Sequence, residues 1–143
     1  MNNKKGFTLL EILIVLGIIG LLLAMTAAAF LSARSTARDA KRKADLEQIR
    51  GALETYKADN GSYPTTSGAA STVLSALTAP TQYISVLPAD STPRQYYYVS
   101  ISSGAGYALC ASLENSSSGV PANCGGGVSC GSGITCNYST TNP

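Results

Sequence analysis

The sequence has no histidine and no tryptophan, and only 13% of its residues are charged. Without histidine there is no side chain that ordinarily titrates near neutral pH and no imidazole metal ligand. Charge is scarcest in the second half: beyond Gly61 only Asp90, Arg94 and Glu114 carry it. Asp90 and Glu114 stand alone in sequence, and such carboxylates are ordinarily solvated. No acid–base pair is legible, so the chain reads as a non-enzyme. Nor is there a nucleic-acid footprint, because the basic residues between Arg34 and Asp59 are interleaved with acids.

Two further absences define helices. From Ile12 to Met25 there is no polar residue. A helix over 7–31 would be about 37 Å long, enough to cross a hydrocarbon core of about 30 Å. From Ser32 to Ala58 there is no proline, and Gly51 is the one glycine. Leu46, Ile49, Leu53 and Tyr56 recur there at spacings of three and four, an apolar stripe that faces a core. Asp39 with Lys43, Lys41 with Asp45, Lys43 with Glu47 and Arg50 with Glu54 are spaced to pair along the helix. The reading is one helix from about Phe7 to Asp59, roughly 80 Å long. Its first half is apolar all round and its second half amphipathic. Asp59-Asn60-Gly61 stops it, with Pro64 soon after.

Beyond the helix, Val73 to Leu77 reads as a helical turn and Tyr83 to Leu87 as a weak strand or turn. Gln95 to Ser102 is aromatic and β-branched and predicts a strand. Gly104-Ala105-Gly106 turns the chain into a second strand, Tyr107 to Leu113. A sheet of about three antiparallel strands would cover the stripe, giving an α+β fold. Tyr96, Tyr97 and Tyr98 read as strand packing. Asn60, Asn115 and Asn137 stand in Asn-x-Ser contexts and read as loop residues rather than glycan acceptors.

The four cysteines, Cys110, Cys124, Cys130 and Cys136, crowd the last third, in a Ser/Gly/Asn-rich tail with too few apolar residues for its own core. An even count beyond a membrane-type segment predicts two disulfides in an oxidising compartment. Their gaps are wider than those of structural zinc loops, so no metal is expected. Four cysteines allow three pairings. Chain order leans to Cys110–Cys124 with Cys130–Cys136, the other two staying open.

The most unusual residue is Glu11, a carboxylate inside the apolar run and just behind the basic pair Lys4-Lys5. A basic head before an apolar run also begins a secretory signal peptide or a signal anchor, and Ala27-Ala28-Ala29 could serve for cleavage. Neither role explains Glu11. A charge at membrane depth is costly and implies a function and a partner. Gly6-Phe7-Thr8-Leu9-Leu10-Glu11 resembles the class III signal of type IV pilins and type II secretion pseudopilins. The segment from Arg38 to Pro64, ending in Tyr-Lys-Ala-Asp-Asn-Gly-Ser-Tyr-Pro, resembles the major pseudopilins and related pilins.

The resemblance implies a pilin-like fold: residues 1–6 a prepilin leader, 7–31 a transmembrane and filament-core helix, 32–59 its amphipathic half and 60–143 the globular β domain. It implies cleavage between Gly6 and Phe7 by a prepilin peptidase and N-methylation of Phe7. Glu11 would pair with that amine on an adjacent subunit. The implied partners are identical subunits in a helical homopolymer, the inner membrane before assembly, an assembly platform and a motor ATPase, with no nucleic acid for a major subunit. The function so implied is a subunit of a type IV pilus-like filament, ending up extracellular or periplasmic. A major pseudopilin and a minor pilin with a priming or DNA-uptake role are the alternatives.

Departures from the family pattern are also visible. Many members carry a proline where this chain has Thr26-Ala27-Ala28-Ala29, so bending would fall to Gly17 and Gly20. Major pseudopilins carry a loop calcium site, but no other acids cluster near Asp90 in sequence, and no cofactor is expected. The positive-inside tally of Lys4 and Lys5 against Arg34, Arg38, Lys41, Arg42 and Lys43 would keep the large domain inside. The cysteines and the resemblance place it outside. Loss of Lys4 and Lys5 from ten basic residues leaves eight against eight acidic ones, a balance that lets copies pack without net repulsion.

Overall fold

Thr8 starts the first helix. Its Oγ1 accepts the backbone N–H of Glu11 at 3.2 Å, satisfying one of the donors that a helix start leaves unpaired. The resulting helix α1 spans Leu9–Asn60 in the computed structural model, which describes residues 6–116, 119–124 and 128–142, and the side chains of these except 27–29. The chain forms two units, Met1–Ala37 and Arg38–Pro143, so α1 begins in one and ends in the other.

In the first unit the helix is apolar on every side. Its large side chains are all exposed, from 46% at Val15 to 83% at Leu9. It is the one helix among the described residues long and apolar enough to cross a membrane. Polar side chains near its end turn back onto the helix. Thr26 donates to the Leu23 carbonyl, and Ser35 and Thr36 donate to that of Ser32. Gly17 and Gly20 lie within α1.

In the second unit the stripe is buried. Leu46, Ile49 and Leu53 are fully covered and Tyr56 half-buried. The Gly61 N–H donates to the Lys57 carbonyl at 2.7 Å and closes the helix. Four strands follow: β1 (Gly68–Ala69), β2 (Tyr97–Ile101), β3 (Gly106–Ala111) and β4 (Tyr138–Thr141). They form one antiparallel sheet in chain order. A short helix α2 (Ala70–Val73) and a 3-10 turn (Ser75–Leu77) lie between β1 and β2. The α+β class with a long first helix is therefore observed. Two strands are additions to the sequence reading: β1, in a stretch that reads as loop, and β4, inside the low-complexity tail. Of the strand or turn read for residues 83–87, the turn is observed, as bends at 83–86.

β3 is buried on both faces, and its alternation sorts two cores. Tyr107, Leu109 and Ala111 join Tyr98 of β2 against Leu46, Ile49 and Leu53 of α1. The Tyr107 ring meets Tyr63 edge-on at 4.6 Å and stacks on Tyr98 at 6.0 Å. On the other face, Ala108 and Cys110 pack with Tyr97, Val99 and Ile101 under Cys124, Cys130, Cys136, Val128 and Ile134. The tail thus builds no core alone; it borrows the outer face of β2 and β3. The disulfide Cys110–Cys124 ties it to β3, and Cys130–Cys136 closes a loop within it. Such links typically contribute about 2–4 kcal/mol each.

Asparagines end the β3–β4 ladder. Asn137 accepts the Leu113 N–H at 2.7 Å and donates to its carbonyl at 2.9 Å. Asn142 accepts the Tyr107 N–H at 3.3 Å. Gly131 meets Arg94 in an isolated bridge with φ +141°, and a Cβ there would lie 2.1 Å from the Pro93 carbonyl oxygen. Only glycine permits that approach.

Candidate functional site

The amino-terminal motif forms the first turn of α1 and the residues before it. Gly6 and Phe7 are exposed and precede the helix. Glu11 is exposed in the first turn, where a carboxylate also favours the positive end of the helix dipole. Thr8 and Glu11 have the Thr-x-x-Glu spacing of a capping box, a signal present in the sequence but passed over there. Among the described residues Glu11 has no ion pair. The structure brings the cysteines together in pairs and leaves Gly17 and Gly20 in helix, each with space for a Cβ.

A second constellation lies wholly in the larger unit. Asp90, Arg94 and Glu114 converge on one end of the α1 segment that packs against the sheet. Arg42, whose side chain is 3% exposed, donates from Nε to Asp90 at 2.7 Å. Its Nη1 lies 2.9 Å from Asp39 and 3.1 Å from Glu114. Arg38 holds both Glu114 oxygens, at 2.8 and 2.5 Å, and Arg94 reaches Glu114 at 3.3 Å. Asp39 also accepts the backbone N–H groups of Glu114 and Asn115 at 2.8 and 2.9 Å. Three arginines thus face three carboxylates. The expectation of solitary, solvated Asp90 and Glu114 is corrected: both are clamps.

Electrostatics follow from this geometry. Hydrogen bonds from Arg38, aided by Arg42, outweigh burial and hold the Glu114 carboxyl down to about 2. Burial opposes the charge on Asp39. The N–H groups of Glu114 and Asn115, with Arg42, overcome it and leave its pKa below the usual carboxylate value. Burial also opposes the charge on Arg42, but Asp90, Glu114 and Asp39 raise its pKa.

Two helix carboxylates expected to pair along α1 accept tyrosine hydroxyls from beyond the helix instead. Glu54 accepts the hydroxyls of Tyr63 and Tyr107 at 2.8 and 3.0 Å, and Asp45 accepts that of Tyr96 at 2.6 Å. Arg50 pairs with Glu47, not Glu54. Burial, then the bond to Glu54, pushes the Tyr63 phenol up to about 12. Burial likewise raises Tyr96, Tyr98 and Tyr107. The Asn-x-Ser asparagines are also engaged: Asn60 donates to Tyr83 and Asn115 to Asp39.

Comparison with known proteins matches two stretches of the chain. Residues 1–27 match the prokaryotic N-terminal methylation motif. Residues 29–123 match the family model of type II secretion system (T2SS) protein G. The chain belongs to the protein G family. Type II secretion system core protein G of Escherichia coli (strain K12) is 31% identical over 126 residues, which cover 82% of this chain and 87% of that protein. The core protein G of Klebsiella pneumoniae is 34% identical over 108 residues, covering 70% and 77%. That of Vibrio cholerae is 33% identical over 107 residues, covering 70% and 73%. No solved structure matches. The protein G match ends at residue 123, so Cys124, Cys130, Cys136 and β4 lie beyond it.

The loop calcium implied by the resemblance does not fit this member of the protein G family. Calcium takes six to eight oxygen ligands. Asp90 offers one carboxylate, with Oδ2 on Arg42 and Oδ1 accepting the Ser91 N–H at 2.7 Å. Among the described residues no three His, Cys, Asp or Glu side chains are placed to hold a metal ion.

Proposed function

We propose that the chain is the repeating structural subunit of a pseudopilus in a type II secretion system. The observation that carries this reading is the apolar first half of α1, exposed on every side in the single chain, in a sequence that matches protein G. A helix apolar all round must be buried, in lipid or in protein. In this proposal it is buried in each in turn. The subunit waits in the inner membrane with residues 60–143 outside. A prepilin peptidase cuts between Gly6 and Phe7, and the Phe7 amine is methylated. An assembly platform and motor ATPase then lift residues 7–31 out of the bilayer to pack among copies of themselves. Lipid tails and Leu/Ile side chains are similarly apolar, so the transfer is not strongly uphill.

Glu11 sets register in this scheme. Greasy helices slide past each other, and a paired charge specifies one position. Methylation keeps the amine cationic, so the carboxylate of one subunit meets the chain start of the next. The contact is head-to-tail and propagates without closing. The role is structural rather than enzymatic. The sequence pattern alone had placed a type IV pilus first, and similarity to core protein G moves the secretion reading ahead of it.

The test is direct. The mature subunit is isolated from cell envelopes and sequenced from the amino end, long fibres are sought in the sheared fraction, and secretion is measured in a deletion strain. A methylated Phe7 start, no long fibres in the sheared fraction and lost secretion are expected. Long surface fibres with normal secretion would return the pilus reading, and a mature start other than Phe7 would remove the Glu11 pairing.

A further inference from the structure

Calcium gathers oxygens from separate loops around one positive centre. In this chain a side chain already does so. Arg42 lies under Asp90 from the segment leading into β2 and under Glu114 from the segment leaving β3, while Asp39 comes from its own helix. Its guanidinium presents five N–H donors in a fixed fork and stays charged at any physiological pH. We propose that Arg42 is the built-in cation of the globular half, closing both segments onto α1 so that the fold takes no divalent metal.

Three features carry the proposal. First, the oxygens are occupied. Asp90 is held by Arg42 and the Ser91 N–H, and both Glu114 oxygens by arginines. Second, charge is balanced. Arg38, Arg42 and Arg94 offset Asp39, Asp90 and Glu114, and a divalent ion would bring two uncompensated charges to a cluster whose centre, Asp39 and Arg42, is buried. Third, the carboxylates need no cation from elsewhere, since Asp39 also receives two backbone N–H groups, and the cluster's one buried unpartnered polar atom among the described residues, Arg94 Nε, is a donor that a metal ion could not satisfy. A calcium clamp follows the ion concentration outside the membrane, whereas a covalently tethered guanidinium cannot be diluted or chelated. The subunit therefore folds in calcium-poor surroundings, and its clamp answers to acid and high salt instead.

The experiment uses the full chain in detergent, with thermal unfolding followed by circular dichroism. The wild-type midpoint is expected to be the same in excess chelator and in millimolar calcium chloride, with no saturable heat on calorimetric titration of calcium. A rise in midpoint with calcium, or a saturable heat that Asp90→Asn removes, would overturn the proposal. Asp90→Asn should lower the midpoint by about 4 °C or more, equally in calcium and chelator. A midpoint unmoved by Asp90→Asn would show that Arg42 clamps nothing there.

Discussion

Asp39 Oδ1 accepts the backbone N–H of Glu114 at 2.8 Å across 75 residues of chain, while the same oxygen pairs with Arg42 at 2.9 Å. One helix carboxylate thus fixes where the sheet's third strand exits and also keeps a buried guanidinium in place. Breaking a buried pair by removing one partner leaves the other charge uncompensated. Asp39→Asn retains an acceptor but not the charge, and should cost about 2–4 kcal/mol in denaturant unfolding. Arg50→Ala breaks a pair whose side chains are 33% and 54% exposed, and should cost under about 1 kcal/mol. Equal losses from the two would mean that the cluster is no more than a surface network.

The pH dependence has two separate edges. Glu114 moves from an ordinary 4.5 to about 2, and Asp39 lies below 3.8. A depressed folded-state pKa contributes stability above the unfolded value and loses it as pH falls through the folded one. Unfolding free energy should therefore hold above about pH 5 and decline from about 4.5 towards 2. On the alkaline side Tyr63 rises from 10.0 to about 12. That contribution is complete below pH 10 and disappears as pH climbs through about 12. Unfolding curves at stepped pH check both edges. In Glu114→Gln the acid decline should be shallower; an unchanged decline would reassign it to other carboxylates.

Much of the architecture was legible because it rests on period and punctuation. Leu46, Ile49 and Leu53 announce a core face by spacing, Gly61 a helix end, and Tyr-Tyr-Val-Ser-Ile a strand. β4 was not legible: Tyr138–Thr141 is a short polar strand, and its place comes from the neighbouring β3 and the disulfides behind it. Nor was the arginine cluster, since Arg42 and Asp90 are 48 residues apart and no local rule joins them. The expected ladder along α1 failed for a related reason. Buried tyrosine hydroxyls and strand-exit N–H groups need acceptors. The low-charge second half has few, so Asp39, Asp45 and Glu54 of the helix supply them. Of the candidate site, the motif residues were readable at fixed offsets, but their partner in the proposed assembly belongs to another copy.

Two glycines should respond in opposite senses. At Gly131 a Cβ would meet the Pro93 carbonyl oxygen and the backbone has φ +141°, so Gly131→Ala should destabilise by about 1–3 kcal/mol or more. Gly51 sits inside α1 with nothing within 4 Å of a Cβ, so Gly51→Ala should stabilise by about 0.5–1 kcal/mol. Melting of the two variants checks both. A stable Gly131→Ala protein would mean that the Arg94–Gly131 bridge is dispensable.

Glu11 has two readings that different substitutions separate. As the end of a capping box it stabilises the first turn with Thr8, and losing such a cap costs about 1 kcal/mol of helix stability. As an assembly charge it matters only when subunits meet. Thr8→Ala removes the observed side-chain bond to the Glu11 N–H and keeps the carboxylate. Glu11→Gln keeps the side chain's shape and hydrogen bonding but removes the charge. If register depends on the ion pair, both variants insert in the membrane. Filament yield then falls at least tenfold in Glu11→Gln and little in Thr8→Ala. If the cap is what counts, Thr8→Ala loses filaments and Glu11→Gln keeps them, because glutamine caps as glutamate does and a frayed first turn cannot present Phe7 in a fixed place. Membrane fractionation and quantitation of filaments released from opened cell envelopes of the same cells distinguish the two, since the cap acts within one chain and the charge between chains.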